Sequence, residues 1–554
     1  MKFSNKILSQ TITQLCLAAG IDHIVISPGS RNAPLIIGFT EHPSFKNFSI
    51  VDERCAAFFA LGLAQQLKRP VALVCTSGSA LLNYYPAIAE AFYSNIPLVI
   101  ISADRPSHLI DVGDGQTIRQ EHVFENHILF SADCIEGEAF NDYNEEIVNV
   151  ALQTAITEQG PVHINAPFSE PLYERVDALQ CEPKLIAFEN DSETKEIDLA
   201  LFINKWNKAE RKMILVGVLP PNSIEEVYID VLAADPSVIV LTETTSNLHH
   251  ESFFPAIDQL IAPLDEEGFE KLRPELLLTF GGMVVSKKIK AFLRRHQASE
   301  HWHIDAKKAN DTFFMRPHHI KSEPNAFLRD FLSQTNQIKS SYKSYWQLIK
   351  NYRLNLHFKF EKQVSYSDFK AFSILFQKLP SQINLQLSNS ATIRYSQLFD
   401  HNPTINVYCN RGTSGIDGSM STAIGASYAS SLPTVFVSGD LSFFYDSNAL
   451  WNNYIPSTFR IIVINNNGGG IFRILPGAME ADHFQEYFET KHQLTAKHLC
   501  KMYDIEYVSA NDALSLHAGL NEFYKTSIGP KLLEVFTPSE ENDKVLKAYF
   551  KYLN

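Results

Sequence analysis

The sequence is poor in cysteine, and its cysteines show no pairing pattern. Seven are scattered along 554 residues, without a CxxC pair. This argues against a disulfide framework or a zinc ribbon and is typical of a reducing compartment. The sequence also lacks any run approaching the roughly 18 apolar residues of a membrane span, and its first residues lack the continuous apolar core of a signal peptide. We therefore expect a cytoplasmic protein.

Basic residues are also in deficit. The 48 Lys and Arg stand against 62 Asp and Glu, a formal net charge of −14. A chain with this balance is a poor nucleic-acid binder by bulk electrostatics, so a local cluster of cations indicates a specific anionic ligand. No turn reads GxGxxG, which argues against one alternative, a nicotinamide-binding Rossmann enzyme.

The sequence is rich in apolar segments that alternate with helical ones. Hydrophobic residues make up 45% of the chain, enough for about three domains of ordinary size. Strands that alternate with helices predict an α/β fold of mainly parallel sheets flanked by helices. Polar breaks near 182–198 and 333–367 divide the chain into three predicted domains, at 1–182, 195–335 and 365–554.

The segments predicted to form or to begin with strands share a short apolar run, often rich in β-branched residues. They are DHIVI, PVALVC, IPLVIIS and GPVHINAP in the first domain, KMILVGV, SVIVLTE, ELLLTFGG and HWHID in the second, and INLQLSNSATIR, INVYCNRGTSGIDG, TVFVSGDLSFFYD, FRIIVINNNGGGIF and KLLEVFTP in the third.

Polar residues end two of these strands. TVFVSGD ends in Asp440, and FRIIVINNN ends in Asn467, 27 positions later. In open parallel sheets, ligands bind at the carboxyl ends of the strands. A carboxylate, an amide oxygen and a backbone carbonyl of the glycine turn are ligands that suit Mg²⁺, with phosphate oxygens and water completing an octahedron. The pattern therefore predicts a cation that anchors a diphosphate.

This pattern resembles the signature of thiamine-diphosphate-dependent enzymes, which begins Gly-Asp-Gly and ends in Asn-Asn after a similar spacing. Here it reads Gly439-Asp440-Leu441 and Asn466-Asn467, with Leu in place of the last glycine. Further motifs resemble one branch of the family, the synthases of menaquinone biosynthesis, in which Gly-Asp-Leu is the usual form. They are SPGSRNAPL, VDER, TSGSA, SADRP, GQTIRQ, NRGTSGIDG, GDLS and NNNGGGIF. The resemblance covers essentially the whole chain and is weakest in the middle domain.

The resemblance implies an enzyme that decarboxylates 2-oxoglutarate and adds the succinyl unit to isochorismate by conjugate addition. Its cofactors would be thiamine diphosphate and Mg²⁺ or Mn²⁺. The first domain would bind the pyrimidine and the last the diphosphate, in active sites shared between the subunits of a homodimer or a homotetramer. Glu53 would be the catalytic residue, which hydrogen-bonds the aminopyrimidine from the partner subunit. Without the resemblance, Glu53 is equally an acid favoured by a helix dipole.

The resemblance also assigns binding residues. Asp440, Asn467 and Gly469 would bind the metal. The implied cofactor contacts are Ile416, Gly439, Asp440, Leu441, Ser442, Asn467, Gly469 and Ile471. The implied substrate contacts are Ser30, Arg31, Arg105, Gln116, Lys287, Lys288, Ser390, Arg394, Arg411, Phe472 and Leu475. Six of these are cations, and both substrates are dianions, which arginine forks bind well. The family has Lys-Arg where this chain has Lys287-Lys288, so the role of Lys288 stays open.

Two further alternatives remain at this point. Another thiamine-diphosphate enzyme, such as an acetolactate synthase or a 2-oxoacid decarboxylase, has smaller substrates that do not need so many cations. A catalytically silent binding module of the same fold would not need Glu53, Asp440 and Asn467, all of which are present.

Overall fold

The computed structural model describes residues 1–186, 197–474 and 477–554. Most of the polar break predicted at 182–198, and the implied substrate contact Leu475, lie outside these residues. The described chain forms three parallel sheets flanked by helices, which confirms the predicted α/β fold. In the described ranges, no helix is both long and apolar enough to cross a membrane.

The strands fall into three consecutive groups along the chain, and each group builds one parallel sheet, apart from the first and eighth strands, which form a separate antiparallel pair. They are β1 (Phe3–Ser4), β2 (His23–Ile26), β3 (Lys46–Ser49), β4 (Val71–Cys75), β5 (Leu98–Asp104), β6 (Ser131–Asp133), β7 (Val162–Pro167) and β8 (Arg175–Val176); β9 (Lys212–Val216), β10 (Val238–Leu241), β11 (Leu276–Phe280), β12 (Glu300–Ile304) and β13 (His318–Ile320); and β14 (Asn384–Leu387), β15 (Asn406–Cys409), β16 (Thr434–Gly439), β17 (Arg460–Asn465), β18 (Glu506–Ala510) and β19 (Lys531–Phe536).

The helices lie between these strands and after the last one. They are α1 (Ile7–Ala18), α2 (Ala33–Thr40), α3 (Glu53–Leu67), α4 (Ser79–Asn83), α5 (Tyr85–Ser94), α6 (Asn141–Glu158), α7 (Leu199–Lys208), α8 (Glu226–Ala234), α9 (Ile257–Ile261), α10 (Glu266–Leu272), α11 (Lys287–Arg295), α12 (Pro324–Leu332), α13 (Tyr342–Gln363), α14 (Asp368–Lys378), α15 (Ala391–Ser396), α16 (Ser419–Ala429), α17 (Asp440–Tyr445), α18 (Phe484–Tyr487), α19 (Lys497–Met502), α20 (Ala513–Phe523) and α21 (Ser539–Tyr552).

The first and last sheets share one strand order. The first runs β3-β2-β4-β5-β7-β6 and the last runs β15-β14-β16-β17-β19-β18, which is the same order once the strands are counted from the start of each sheet. The middle sheet runs β10-β9-β11-β12-β13. All three are parallel, so each has an edge at which the carboxyl ends of its strands meet.

Every segment predicted as a strand contains one, and the strands missed by sequence lie mainly at sheet edges. β3, β6, β13 and β18 are each the outermost strand of their sheet, with the sequences KNFS, SAD, HHI and EYVSA. An edge strand has one neighbour and more contact with solvent, so it needs no continuous apolar run. The short antiparallel pair β1–β8 was also missed.

The first and last domains contact each other where helix α3 crosses helix α16. A Cβ added to Gly62 on α3 would lie 2.0 Å from the carbonyl oxygen of Thr422, and one added to Gly425 on α16 would lie 2.0 Å from that of Phe59. The two helix backbones are therefore in direct contact, which only glycine permits. This crossing packs α3, the helix that begins at Glu53, against a helix of the last domain.

We expect Gly62→Ala to lower the stability of the protein, because the methyl group forces the two helices apart. Overpacking of this kind typically costs about 1–3 kcal/mol, which the midpoint of urea denaturation measures. Gly519→Ala on α20 is the control, since its Cβ would lie at an ordinary 3.5 Å from Leu533 Cδ1. That variant should be as stable as the parent or more so, because alanine favours a helix by about 0.5–1 kcal/mol. Equal midpoints for the two variants would contradict the close crossing.

Candidate active site

The predicted diphosphate signature lies at one edge of the last sheet. β16 and β17 are parallel neighbours with Gly439 opposite Ile464, so the turns after them begin side by side. Asp440 is buried and is the first residue of α17. One carboxylate oxygen accepts the Leu441 N–H at 2.7 Å, and the other accepts the Gly468 N–H at 3.0 Å. The aspartate and the glycine turn are thus held against each other.

The three consecutive asparagines, Asn465, Asn466 and Asn467, differ in their hydrogen bonding. Asn465 donates to the buried Glu534 at 2.7 Å, and Asn466 donates to the buried Asp368 at 2.9 Å. Asn467 has a left-handed backbone, with φ of 63°, and its side chain makes no hydrogen bond to any described residue. Two asparagines therefore secure the turn, and the amide oxygen of the third is available to a ligand.

The other implied cofactor contacts surround this turn. Ser442 Oγ donates to the Ile416 carbonyl at 3.0 Å and so ties the loop before α16 to α17. Gly439 faces open space, since an added Cβ would meet only Thr392 Oγ1, at 3.9 Å. The Gly469 carbonyl accepts the Phe472 N–H at 3.1 Å and keeps a second lone pair. This donor set of carboxylate, amide oxygen and carbonyl fits a hard cation and a diphosphate.

A cavity adjoins this edge and brings several implied substrate contacts together. It encloses about 450 Å³ and is lined by Lys287, Lys288, Arg394 and Ile471, among others. The Lys288 ammonium lies 5.0 Å from the ring centre of Phe550, which also lines the cavity. Burial, and then the charge of the nearby Arg411, lower the pKa of Arg394. Lys547, Glu243 and Asp258 also line the cavity, so four cationic side chains stand against two carboxyl groups.

Ser390, Arg411 and Phe472 also lie on the last domain. The carbonyl of Ser390, which has φ of 67°, accepts a hydrogen bond from Arg394 at 2.8 Å. Arg411 donates to Asn389 at 2.7 Å, and its Nε has no hydrogen-bond partner within the described chain. The Phe472 ring packs against Phe488 with the ring centres 6.0 Å apart.

A second group of implied substrate contacts lies on the first sheet. Arg31 is 5% exposed and donates to the Phe168 carbonyl at 2.7 Å. Burial, and then the charge of Arg105, lower its pKa, so the two guanidinium groups lie near each other. Arg105 in turn lies 3.8 Å from Asp114. Arg31 lies 3.2 Å from Glu170, so each of the two arginines has one acidic partner, which an anionic ligand would have to replace or share.

Ser30 directly precedes Arg31 in the loop after β2, and Gln116 lies in the long loop that follows β5. Ser30 Oγ and the Tyr173 hydroxyl are 3.0 Å apart. Gln116 has φ of 55°, and its carbonyl accepts the Ser77 hydroxyl at 3.0 Å.

Glu53 lies on the first domain, as do Arg31 and Arg105. It is partly buried at the start of α3, and burial raises the pKa of its carboxyl. Its charge adds to the effect of burial in raising the pKa of the Cys75 thiol at the end of β4. Among the described residues, no hydrogen bond or ion pair links the Glu53 side chain or these two arginines to the cavity group on the last domain.

Sequence reasoning missed two buried carboxylates that hold cationic turns. Glu243 accepts the N–H groups of Val285 and Ser286 at 2.7 Å each and so fixes the turn before Lys287. Burial raises the pKa of Glu243 to about 7. A signal was present, because the predicted strand SVIVLTE ends in this residue.

The other missed residue is Glu90, which is 1% exposed on α5. It accepts the N–H groups of Gly412 and Thr413 at 2.7 and 2.6 Å and so anchors the loop that carries Arg411 to the first domain. Its signal was an acid within the apolar run AIAEAFY.

Comparisons with known proteins agree with this fold. The N-terminal TPP-binding domain of thiamine pyrophosphate enzymes matches residues 7–131, and the middle domain of this family matches 187–387. The crystal structure of benzoylformate decarboxylase from Polynucleobacter necessarius superposes with a TM-score of 0.69 at 15% identity, over 96% of this chain and 98% of that one. The fold and site define a thiamine-diphosphate-dependent enzyme.

Comparison with curated relatives identifies one family within this class of enzymes. The chain is 55% identical to the 2-succinyl-5-enolpyruvyl-6-hydroxy-3-cyclohexene-1-carboxylate synthase of Flavobacterium johnsoniae, over 99% of each chain. It is 55% identical to the same enzyme of Christiangramia forsetii over 100% of each, and 38% identical to that of Porphyromonas gingivalis over 100% of this chain and 98% of the relative. The chain belongs to this synthase family. The predicted family is confirmed, and the relatives do not support the alternatives.

Proposed function

We propose that the protein decarboxylates 2-oxoglutarate and adds the succinyl unit to isochorismate, in the cytoplasm, as a step of menaquinone biosynthesis. The products are 2-succinyl-5-enolpyruvyl-6-hydroxy-3-cyclohexene-1-carboxylate and CO₂. The observation that carries this proposal is the cationic cavity beside the diphosphate signature. Ile471, an implied cofactor contact, lines the same cavity as Lys287, Lys288 and Arg394, so dianionic substrates would be bound beside the cofactor.

We test this function by product analysis. The purified protein is mixed with thiamine diphosphate, Mg²⁺, 2-oxoglutarate and isochorismate, and the product is identified by mass. Omitting isochorismate should remove the product, and replacing 2-oxoglutarate with pyruvate should give little of the corresponding compound. Equal use of pyruvate would assign the protein to another branch of the family.

We propose that Asp440, Asn467 and Gly469 bind Mg²⁺ or Mn²⁺, which in turn holds the diphosphate. Thiamine diphosphate supplies the nucleophilic carbon and the electron sink for decarboxylation. Ile416, Gly439, Leu441, Ser442 and Ile471 would contact the cofactor, as the resemblance implies. These residues lie together near the carboxyl ends of β16 and β17, which supports these roles.

We propose a homodimer in which the first domain of one subunit completes the site on the last domain of its partner. The proposed boundaries are 1–182 for the pyrimidine-binding domain, 195–335 for the central domain and 365–554 for the diphosphate-binding domain. The family resemblance supports this arrangement, because Glu53 lies on the first domain whereas the implied cofactor contacts lie on the last.

We expect Arg394→Ala and Arg411→Ala to weaken substrate use while cofactor affinity stays close to that of the parent. Losing a charged hydrogen-bonding partner should lower kcat/KM at least about tenfold, or 1.4 kcal/mol. Lysine at either position should restore activity only in part, because an ammonium lacks the planar two-pronged donor. Steady-state kinetics with each substrate varied in turn, and calorimetry of cofactor binding, measure these effects.

The control for the arginine variants is Arg329→Ala on α12, an exposed arginine that pairs with Asp330. It should leave both KM values unchanged. Parental kinetics in both the Arg394 and Arg411 alanine variants would refute the proposed substrate contacts.

A further inference from the structure

The chain returns to the diphosphate signature after leaving it. Gly469 donates its N–H to the Glu489 carbonyl at 2.6 Å, and His492 donates its N–H to the Asn467 carbonyl at 3.1 Å. Gly468 lies between these contacts with φ of 150°, and a Cβ there would come within 2.6 Å of the Glu489 carbonyl. The returning segment, residues 489–492, is therefore packed directly on the turn that carries Asn467.

The side chain of His492 is held in one orientation. Its Nδ1 accepts the Leu494 N–H at 3.0 Å, and its ring meets the Phe444 ring edge-on with the centres 5.5 Å apart. A neutral imidazole that accepts at Nδ1 carries its proton on Nε2. The backbone thus selects the tautomer in which Nε2 is a hydrogen-bond donor.

That donor lies beside the Asp440 carboxylate. His492 Nε2 lies 3.3 Å from Asp440 Oδ2, and the His492 side chain is only 11% exposed. The contact lacks the angle of a full hydrogen bond, and Nε2 has no hydrogen-bond partner among the described residues. Because an unsatisfied buried N–H is costly, the adjacent carboxylate is the natural acceptor for it.

We propose that His492 is a positioning residue for the metal site, which orients the Asp440 carboxylate through its Nε2–H. This proposal rests on the metal assignment given above. The hydrogen bonds that Asp440 accepts from described residues come from the backbone N–H groups of Leu441 and Gly468, so His492 is the side-chain donor placed to complete its surroundings. Carboxylates that bind metals are commonly fixed by such outer hydrogen bonds, and their loss lowers metal affinity by about 10- to 100-fold.

The test compares two variants at this position with one control. His492→Phe keeps a ring against Phe444 and removes the donor. His492→Gln keeps an N–H at a similar reach. His498→Phe makes the same change at an exposed histidine six positions later. Calorimetry measures thiamine diphosphate binding as a function of Mg²⁺ concentration, and the melting temperature of each protein without cofactor is recorded.

We expect His492→Phe to need about 10- to 100-fold more Mg²⁺ for half-maximal cofactor binding, with a melting temperature near that of the parent. His492→Gln should recover most of the affinity, and His498→Phe should match the parent. Parental Mg²⁺ dependence in His492→Phe would overturn the proposal, and so would equal losses in the Phe and Gln variants, because the N–H that glutamine supplies would then contribute nothing.

Asp440→Ala, measured in parallel, separates this proposal from the one on which it rests. If Asp440→Ala binds the cofactor like the parent, the metal assignment itself is wrong. If Asp440→Ala loses binding while His492→Phe keeps it, only the role of His492 is wrong.

Discussion

Asp440→Ala is expected to lose measurable thiamine diphosphate binding, and activity with it. The carboxylate is buried at the edge where β16 and β17 end, and a hard cation there needs its charge to hold a diphosphate. Calorimetry with the cofactor and Mg²⁺ measures the loss. In the parent, dialysis against a chelator should remove activity, and thiamine diphosphate with Mg²⁺ or Mn²⁺ should restore it.

Asp440→Asn distinguishes metal binding from support of the turn. Asp440 accepts the Leu441 N–H through one oxygen and the Gly468 N–H through the other, and the single amide oxygen of asparagine can keep one of these bonds. We expect Asp440→Asn to bind the cofactor far more weakly than the parent and to lose only the stability of one hydrogen bond, about 1 kcal/mol. Asp142→Ala, at an exposed position on α6, is the control and should bind normally. Parental cofactor affinity in Asp440→Ala would remove Asp440 from the metal site.

Glu53→Gln is expected to bind the cofactor and to turn over slowly. Glutamine keeps the size and the hydrogen bonding of Glu53 but cannot exchange a proton. The raised pKa that burial gives Glu53 suits proton sharing with a weakly basic ring nitrogen. Cofactor affinity should stay within about tenfold, or 1.4 kcal/mol, while kcat falls by about 10² or more. Product formation under saturating substrates measures the rate.

The control for Glu53→Gln tests the alternative that the residue serves the helix dipole. Glu226→Gln changes the exposed first residue of α8, the same helix position that Glu53 holds in α3. Loss of a dipole contact is worth only about 0.3–1 kcal/mol at an exposed site, so this variant should turn over normally. Near-parental turnover in Glu53→Gln would end its catalytic assignment.

Mixing the two inactive variants tests the shared site. If Glu53 and Asp440 act in the same site from different subunits, a heterodimer of Glu53→Gln and Asp440→Ala has one site with neither change. Exchange of subunits should then restore part of the parental activity. If no activity returns although mass photometry of differently tagged chains shows that heterodimers form, both residues act from one chain.

The sequence determined the local parts of this protein. Contiguous apolar runs such as FRIIVI specify interior strands, because a strand covered on both faces must be apolar along its length. The polar residues that end TVFVSGD and FRIIVINNN indicate a ligand-binding turn at a sheet edge. Motifs of this kind also predicted the family. Edge strands such as β18 were not predicted, because a strand that contacts solvent does not need a continuous apolar run.

Only the tertiary structure decided how these parts meet. The common strand order of the first and last sheets appears only in the folded chain. The contact of α3 with α16 at Gly62 and Gly425 joins residues more than 300 positions apart. The same is true of Glu90 and Thr413, and His492 reaches Asp440 only because the chain returns to the turn. Such contacts depend on which groups become buried together. Hydrogen-bonding requirements in the interior then select their partners, and no local pattern encodes that choice.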